Sequence, residues 1–236
     1  MKRIHTQWAR RVAALGLVVG LTAGLQAAGV AQSVSGRAYG AYASTPLGST
    51  AQAPLAVLPY GSGTDGNVAH AESDGLSAGS ALSADFLNSI TSGATGRWGD
   101  ASAGGAQSVA SVGTVNILSG LITATGVIAN VASTRTASGA VSDANGSSFS
   151  NLVVAGTPVT SGEGTVAPNT RMNLPNVGYV VLNEQTLTGD GVTSSGITVN
   201  MIHVVMQQPI LGLLGQVIGY QTVGNIIVGS ASSGVN

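Results

Sequence analysis

Two runs of β-favouring residues near the carboxyl end constrain the fold more than any other stretch of the chain. Residues 178–187 and 196–206 are rich in valine, isoleucine and threonine, and they flank a turn cluster over residues 188–191. An Asp-Gly pair between two apolar runs is typical of a β-hairpin, although this connection is longer than two residues. The pattern predicts a core hairpin whose second arm is a central strand of an all-β domain.

Strict alternation along the second run assigns Met201 and His203 to one face of the strand and Asn200 and Ile202 to the other. Glu184 lies on the opposite arm of the same hairpin. An internal hydrogen bond between Glu184 and a half-buried His203 is the favoured interpretation of this pair, and catalysis is the alternative.

Short apolar runs separated by Gly, Asn, Asp and Pro recur through the rest of the chain. Such spacing predicts a β-sandwich, here jelly-roll-like, and we expect one domain over residues 32–236. Residues 76–95 depart from the pattern, because some helical spacing over 84–90 is surrounded by glycine and serine. For this stretch the sequence predicts a loop or a short helix.

The first 31 residues predict export. Four basic residues precede an uncharged apolar run over 12–25, which is too short to span a bilayer comfortably. Small residues and a cleavage site near Ala31 follow. We therefore expect a signal peptide over residues 1–31 and a secreted or cell-surface protein, with an uncleaved membrane anchor as the alternative.

Charge is scarce in this chain. Charged residues make up 7% of the sequence, against about 25% in ordinary soluble domains, and there is no cysteine. Neither a disulfide nor a thiolate metal site is possible without cysteine. Beyond residue 31 the chain has no lysine, and four arginines face nine acidic residues. We therefore expect neither nucleic acid as a partner nor a membrane span in the mature chain.

Residues that could carry chemistry are few. His70, Glu72 and Asp74 alternate, which places them on one face of a strand as a candidate divalent-metal site, although a solvated face is the favoured interpretation. Ser77 stands in a Gly-x-Ser-x-Gly pattern, and a nucleophile elbow needs a strand before it and a helix after it. We expect no enzyme; a secreted serine or metal hydrolase is the remote alternative.

The sequence is compatible with two further binding functions, for calcium and for a glycan. Residues 65–67 and 143–146 offer oxygen ligands, so calcium is the one candidate cofactor, although turns explain both stretches more simply. Trp98 with several tyrosines could form a sugar-stacking platform, but the chain is poor in aromatic residues. A glycan- or other ligand-binding module is therefore the alternative function.

Residues 208–224 contain no charged side chain. One interpretation is a strand–turn–strand buried in the core. The other is an exposed apolar loop that seats a partner, a second copy of the chain or a lipid surface. The interface residues in this second interpretation are Ile210, Leu211, Leu213, Leu214, Val217, Ile218 and Tyr220. A free first strand near residues 37–43 is a candidate donor to a neighbouring copy.

Several segments, taken in order, resemble one known family. They are Gly36-Arg37-Ala38-Tyr39-Gly40, Asn116-Ile117-Leu118-Ser119-Gly120, Leu174-Pro175-Asn176-Val177-Gly178-Tyr179-Val180, Ile197-Thr198-Val199-Asn200-Met201 and Ile227-Val228-Gly229-Ser230-Ala231. The set is similar to the choice-of-anchor P family of exported bacterial surface domains. The resemblance implies a secreted β-domain, often followed by a carboxyl-terminal anchor, and it implies no activity or site.

The sequence favours a non-catalytic structural or adhesive function. No sorting motif or terminal apolar helix follows the domain in this chain, so we expect release or non-covalent assembly. The expected partners are a second copy of the chain or other surface proteins, since an exposed strand edge can recruit another strand.

Overall fold

The computed structural model describes residues 33–58, 66–95 and 103–236, and the regular elements in these ranges are all β-strands. The predicted signal peptide and its cleavage site lie outside the described residues. The strands are β1 (Val34–Thr45), β2 (Gly48–Val57), β3 (Asn67–Ala78), β4 (Leu82–Thr95), β5 (Gly104–Val112), β6 (Val115–Ile117), β7 (Ile122–Ala124), β8 (Gly126–Thr136), β9 (Gly139–Asp143), β10 (Ser148–Ser150), β11 (Val153–Val154), β12 (Thr157–Pro158), β13 (Glu163–Gly164), β14 (Thr170–Leu174), β15 (Gly178–Gly189), β16 (Ser195–Leu211) and β17 (Val217–Val235).

These strands form two antiparallel sheets. The first has the order β14-β15-β16-β17-β1-β2. The second has the order β12-β11-β7-β6-β4-β5-β8-β10-β13, with β3 beside β4 and β9 beside β8. β1 and β17 lie over β4, β5 and β8, and the core between the sheets includes Leu82, Ile117, Phe149, Ile202 and Ile226. The all-β sandwich that the sequence predicts is confirmed.

The predicted core hairpin is present as β15 and β16, and β16 is the third of six strands in its sheet. The connection between them is organised by Asp190. Its carboxylate accepts hydrogen bonds from the Thr193 hydroxyl and from the backbone N–H groups of Val192, Thr193 and Ser194. The Thr193 hydroxyl and these N–H groups hold the pKa of Asp190 well below its usual range. An aspartate-capped turn therefore takes the place of a two-residue turn.

Small polar residues fill part of the space between the two sheets. A Cβ atom at Gly36 would overlap the Thr91 hydroxyl on the facing sheet. Thr91 Oγ1 lies 2.8 Å from Ser108 Oγ, and Ser108 donates a hydrogen bond to the carbonyl of Ser232 across the interface. Because these buried hydroxyls are paired, the core tolerates serine and threonine where longer apolar side chains would hold the sheets apart.

The prediction of a loop or short helix over residues 76–95 is wrong, because β4 occupies Leu82–Thr95. The cause is a break in alternation at Phe86, whose φ angle is +56°. Ala84 faces the core before this residue and Leu87 faces it afterwards, so the buried positions are three residues apart. That spacing imitates a helix, although the backbone remains extended on both sides.

The prediction of a free first strand is also wrong. β1 pairs with β17 on one side and with β2 on the other, over most of its length. Its backbone hydrogen-bonding groups are therefore engaged within the sheet, and residues 37–43 cannot serve as a donor strand without unfolding the sheet.

Candidate functional site

One row of the six-stranded sheet breaks the regular pleat. Asn183 in β15 and Gly229 in β17 have φ angles of +50° and +64°, and Met201 of β16 lies in the same row between them. The break lets both Met201 and Ile202 enter the core. The alternation that the sequence predicts for these neighbouring residues is therefore wrong. The same break changes which residues of β16 point toward the outer face of the sheet.

On that outer face the break brings together five polar side chains from three strands. Glu184 Oε2 lies 2.9 Å from His203 Nδ1 and accepts a hydrogen bond of 2.7 Å from Asn200 Nδ2. Ser230 donates to Asn200 Oδ1 at 2.7 Å, and His203 Nε2 lies 3.3 Å from Asn225 Oδ1. The predicted hydrogen bond between His203 and Glu184 is confirmed, and we call these five residues the outer polar network.

Tyr39 extends the outer polar network toward β2. Its hydroxyl bonds with Ser230 and with Gln52, and Gln52 also receives a hydrogen bond from Arg37. Burial raises the pKa of the Tyr39 hydroxyl above its usual value. The side chains of the network bond mainly to one another. They therefore hold neighbouring strands together and do not form an open binding site.

The Glu184–His203 hydrogen bond raises the pKa of His203 and lowers the pKa of Glu184, in both cases against the effect of burial. A raised histidine pKa contributes stability at pH values below the unfolded pKa of about 6.5, and this contribution is lost as the pH rises through the folded value. A lowered carboxyl pKa contributes stability above about pH 4.3, and it is lost as the pH falls further. The pair should therefore stabilise the sheet most between these two pH values.

We expect His203→Gln to reduce the free energy of unfolding by about 1 kcal/mol more at pH 5.5 than at pH 8.5, because the charge-assisted bond exists only at the lower pH. Urea unfolding at the two pH values measures the difference. His70→Gln is the matched control, because it makes the same substitution at a side chain that is 46% exposed, against 20% for His203. An equal effect in both variants would contradict the assignment.

The metal candidates lie on β3 as predicted, with His70, Glu72 and Asp74 all on its solvent side. His70 Nε2 lies 3.0 Å from Asn88 Nδ2 and 3.9 Å from Glu72 Oε2. Within the part of the chain that the structure describes, no three histidine, aspartate or glutamate side chains gather closely enough to hold a metal ion.

The other sequence candidates lie in separate strands or outside the described residues. Ser77 is in β3 and is followed by a turn and β4, so its Gly-x-Ser-x-Gly pattern does not form a strand–turn–helix elbow. Asp143 caps its own turn by accepting the N–H of Asn145. Trp98 and Asp65 lie outside the described residues. Tyr39 is buried, and the guanidinium of Arg171 stands 3.7 Å from the ring centroid of Tyr179.

Among the described residues, the most exposed large apolar side chains lie at the end of the β16–β17 hairpin. β15 accompanies β16 only as far as Met206, and β1 accompanies β17 only as far as Asn225. The N–H of Gln207 still donates to the carbonyl of Val177, and beyond it the two strands pair with each other alone, from Gln208 opposite Gln221 to Leu211 opposite Val217. We call residues 208–223 the projecting hairpin.

The projecting hairpin is apolar on both faces and at its tip. Leu213 and Leu214 at the turn are 105% and 93% exposed. The exposed apolar residues of the hairpin are Ile210, Leu211, Leu213, Leu214, Val217, Ile218 and Tyr220. The strand–turn–strand form of the first interpretation is present, but its burial in the core is wrong, and the exposure expected in the second interpretation is confirmed. Contiguous exposed apolar patches larger than about a few hundred Å² are typical of interaction sites.

The turn of the projecting hairpin is ordered by its own backbone. The Gly212 N–H donates to the carbonyl of Gln216 at 2.8 Å, and the Gly215 N–H donates to the carbonyl of Gly212 at 2.9 Å. Gly215 has a φ angle of +78°, which favours glycine. The leucines between these glycines are therefore presented on a hydrogen-bonded turn.

Comparison of the chain with family models, with curated proteins and with solved structures finds no match. In the described ranges there is also no helix that is both long enough and apolar enough to cross a membrane.

Proposed function

We propose that this chain is an exported, non-catalytic structural or adhesive β-domain that works by contact through the projecting hairpin. The observation that carries the proposal is the exposure of seven apolar side chains on a segment without charge. Water-exposed apolar surface of this kind is stabilised when a partner covers it, by roughly 1.5–3 kcal/mol for each large side chain that becomes fully buried.

The remaining features are consistent with an exported contact domain. The basic and apolar amino-terminal residues favour secretion, and the resemblance to the choice-of-anchor P family favours a bacterial surface location. The outer polar network is engaged in cross-strand hydrogen bonds, and Ser77 stands in a strand–turn–strand hairpin. A structural role therefore accounts for these polar residues more simply than catalysis does.

Sedimentation velocity of the purified chain over a wide concentration range tests the proposal. We expect reversible association, and we expect Leu213→Lys with Leu214→Lys to raise the dissociation constant about 100-fold, since two buried leucines contribute roughly 3 kcal/mol or more. The matched control is Val68→Lys with Val141→Lys, which adds the same charge at two other exposed apolar positions. A chain that stays monomeric at high concentration, with or without calcium, would contradict self-association.

A further inference from the structure

The two outer edges of the projecting hairpin differ in their capacity to accept another strand. The β16 edge contains Pro209, which has no backbone N–H and protects an edge against pairing. The β17 edge contains no proline and no charge between Val217 and Val223. One common device against edge pairing, a proline, therefore protects the β16 side of the hairpin, whereas the β17 side has neither a proline nor a charged residue.

The β17 edge also has a regular stretch whose backbone is free on the outer side. Register shifts in the β16–β17 ladder occur at Met206/Gln207 and at Ile210/Leu211, and between them the residues from Gly219 to Thr222 pair regularly with β16. β1, the neighbour of β17 on that side, is paired with it only as far as Asn225. Along these four residues, the outward N–H and C=O groups therefore have no strand beside them among the described residues.

The free backbone groups and the lack of charge indicate whether a lipid surface or another strand can cover the projecting hairpin. Insertion into hydrocarbon would leave both backbone edges of the hairpin without hydrogen-bond partners, which costs several kcal/mol for each group. The hairpin also has no lysine or arginine to attract anionic headgroups. An added strand satisfies the free groups instead, and an antiparallel copy of the same edge is complementary to it by symmetry.

We infer that two copies of this chain associate by pairing their β17 edges, residues 219–222, antiparallel across a two-fold axis near Tyr220 and Gln221. The two hairpins then form one four-stranded sheet with the order β16-β17-β17-β16. This pairing places the apolar faces of the two hairpins side by side in one sheet, with the two leucine turns at its opposite ends. The inference rests on the proposed function and names its partner.

The absence of cysteine from the chain allows a direct test. Gln208 and Gln221 are directly opposite each other in the hairpin, so their side chains share one face and differ only in the edge on which they lie. Edge pairing places two Gln221 positions about 5–8 Å apart, whichever of the two central residues lies on the axis. Two Gln208 positions are then separated by three strand spacings, about 14 Å or more.

The experiment compares Gln221→Cys with Gln208→Cys, each treated with a thiol-specific reagent that spans about 8 Å. We expect the covalent dimer of the Gln221→Cys variant to exceed that of the Gln208→Cys variant about ten-fold. Equal cross-linking of the two variants would indicate that hairpin faces stack and would overturn edge pairing. Preferential cross-linking of Gln208→Cys would place the contact on the other edge and would overturn it as well.

Sedimentation of the same variants under reducing conditions separates the two proposals. Association without cross-linking at residue 221 overturns the edge inference and leaves self-association standing. Monomers at every concentration overturn both. Co-sedimentation with phosphatidylcholine vesicles, together with loss of the covalent dimer, would identify a lipid surface as the occupant and would overturn the inference that a second copy covers the edge.

Discussion

A chain in which residues 209–220 are replaced by Asn-Gly is expected to remain folded and to lose association completely. Gln208 and Gln221 are directly paired, so a two-residue turn of this type can join them. The deletion removes the exposed apolar residues of the projecting hairpin and none of the buried core. The free energy of unfolding should therefore change by no more than about 1 kcal/mol.

The matched control shortens the neighbouring connection, with Asn-Gly replacing residues 190–194 between the paired residues Gly189 and Ser195. This variant should associate as the unchanged chain does, although loss of the Asp190 turn lowers its stability. Sedimentation velocity and urea unfolding measure both quantities for both variants. Unchanged association after deletion of the projecting hairpin would show that the contact surface lies elsewhere. A large loss of stability would show that the hairpin supports the core.

Phe149→Ala is expected to have the largest effect on stability among single substitutions in the core. The Phe149 side chain is fully buried between the sheets, and its truncation leaves a cavity that should cost about 3–5 kcal/mol. A loss of this size is a large fraction of the roughly 5–15 kcal/mol that holds a typical domain folded.

The chain supplies its own control, because its only other phenylalanine is Phe86. Phe86 is 73% exposed, so Phe86→Ala should change the free energy of unfolding by no more than about 0.5 kcal/mol. Urea unfolding followed by circular dichroism compares the two variants directly. Similar losses in both would contradict the sandwich, because the two residues would then have comparable burial.

Regular alternation is what made much of the fold predictable from sequence. In β8, buried and partly exposed residues alternate from Gly126 to Thr136, and the β15–β16 hairpin lies where valine and isoleucine flank a Gly-Asp-Gly turn. Each of these patterns reports a local preference of the backbone for extended structure. They establish which residues form strands wherever the pleat is regular.

Prediction failed where single residues adopt positive φ angles. No sequence pattern distinguishes Phe86 or Asn183 from its neighbours. Each nevertheless changes which of the nearby residues face the core. Because Asn200 and His203 face the same side only after such a shift, the outer polar network could not be found from alternation. The hydrogen bond between His203 and Glu184 was predictable because the two residues lie on facing arms of one hairpin.

The sequence by itself determined the β class, the core hairpin and the identity of the seven apolar residues in an uncharged segment, because these depend on local propensity and composition. Only the tertiary structure decided that this segment lies in water. Burial depends on which strands lie beside a segment. Neither β15 nor β1 extends far enough along its neighbour to lie beside residues 208–223. The same ends leave the β17 edge unpaired, so the candidate contact surface follows from strand lengths in neighbouring parts of the chain.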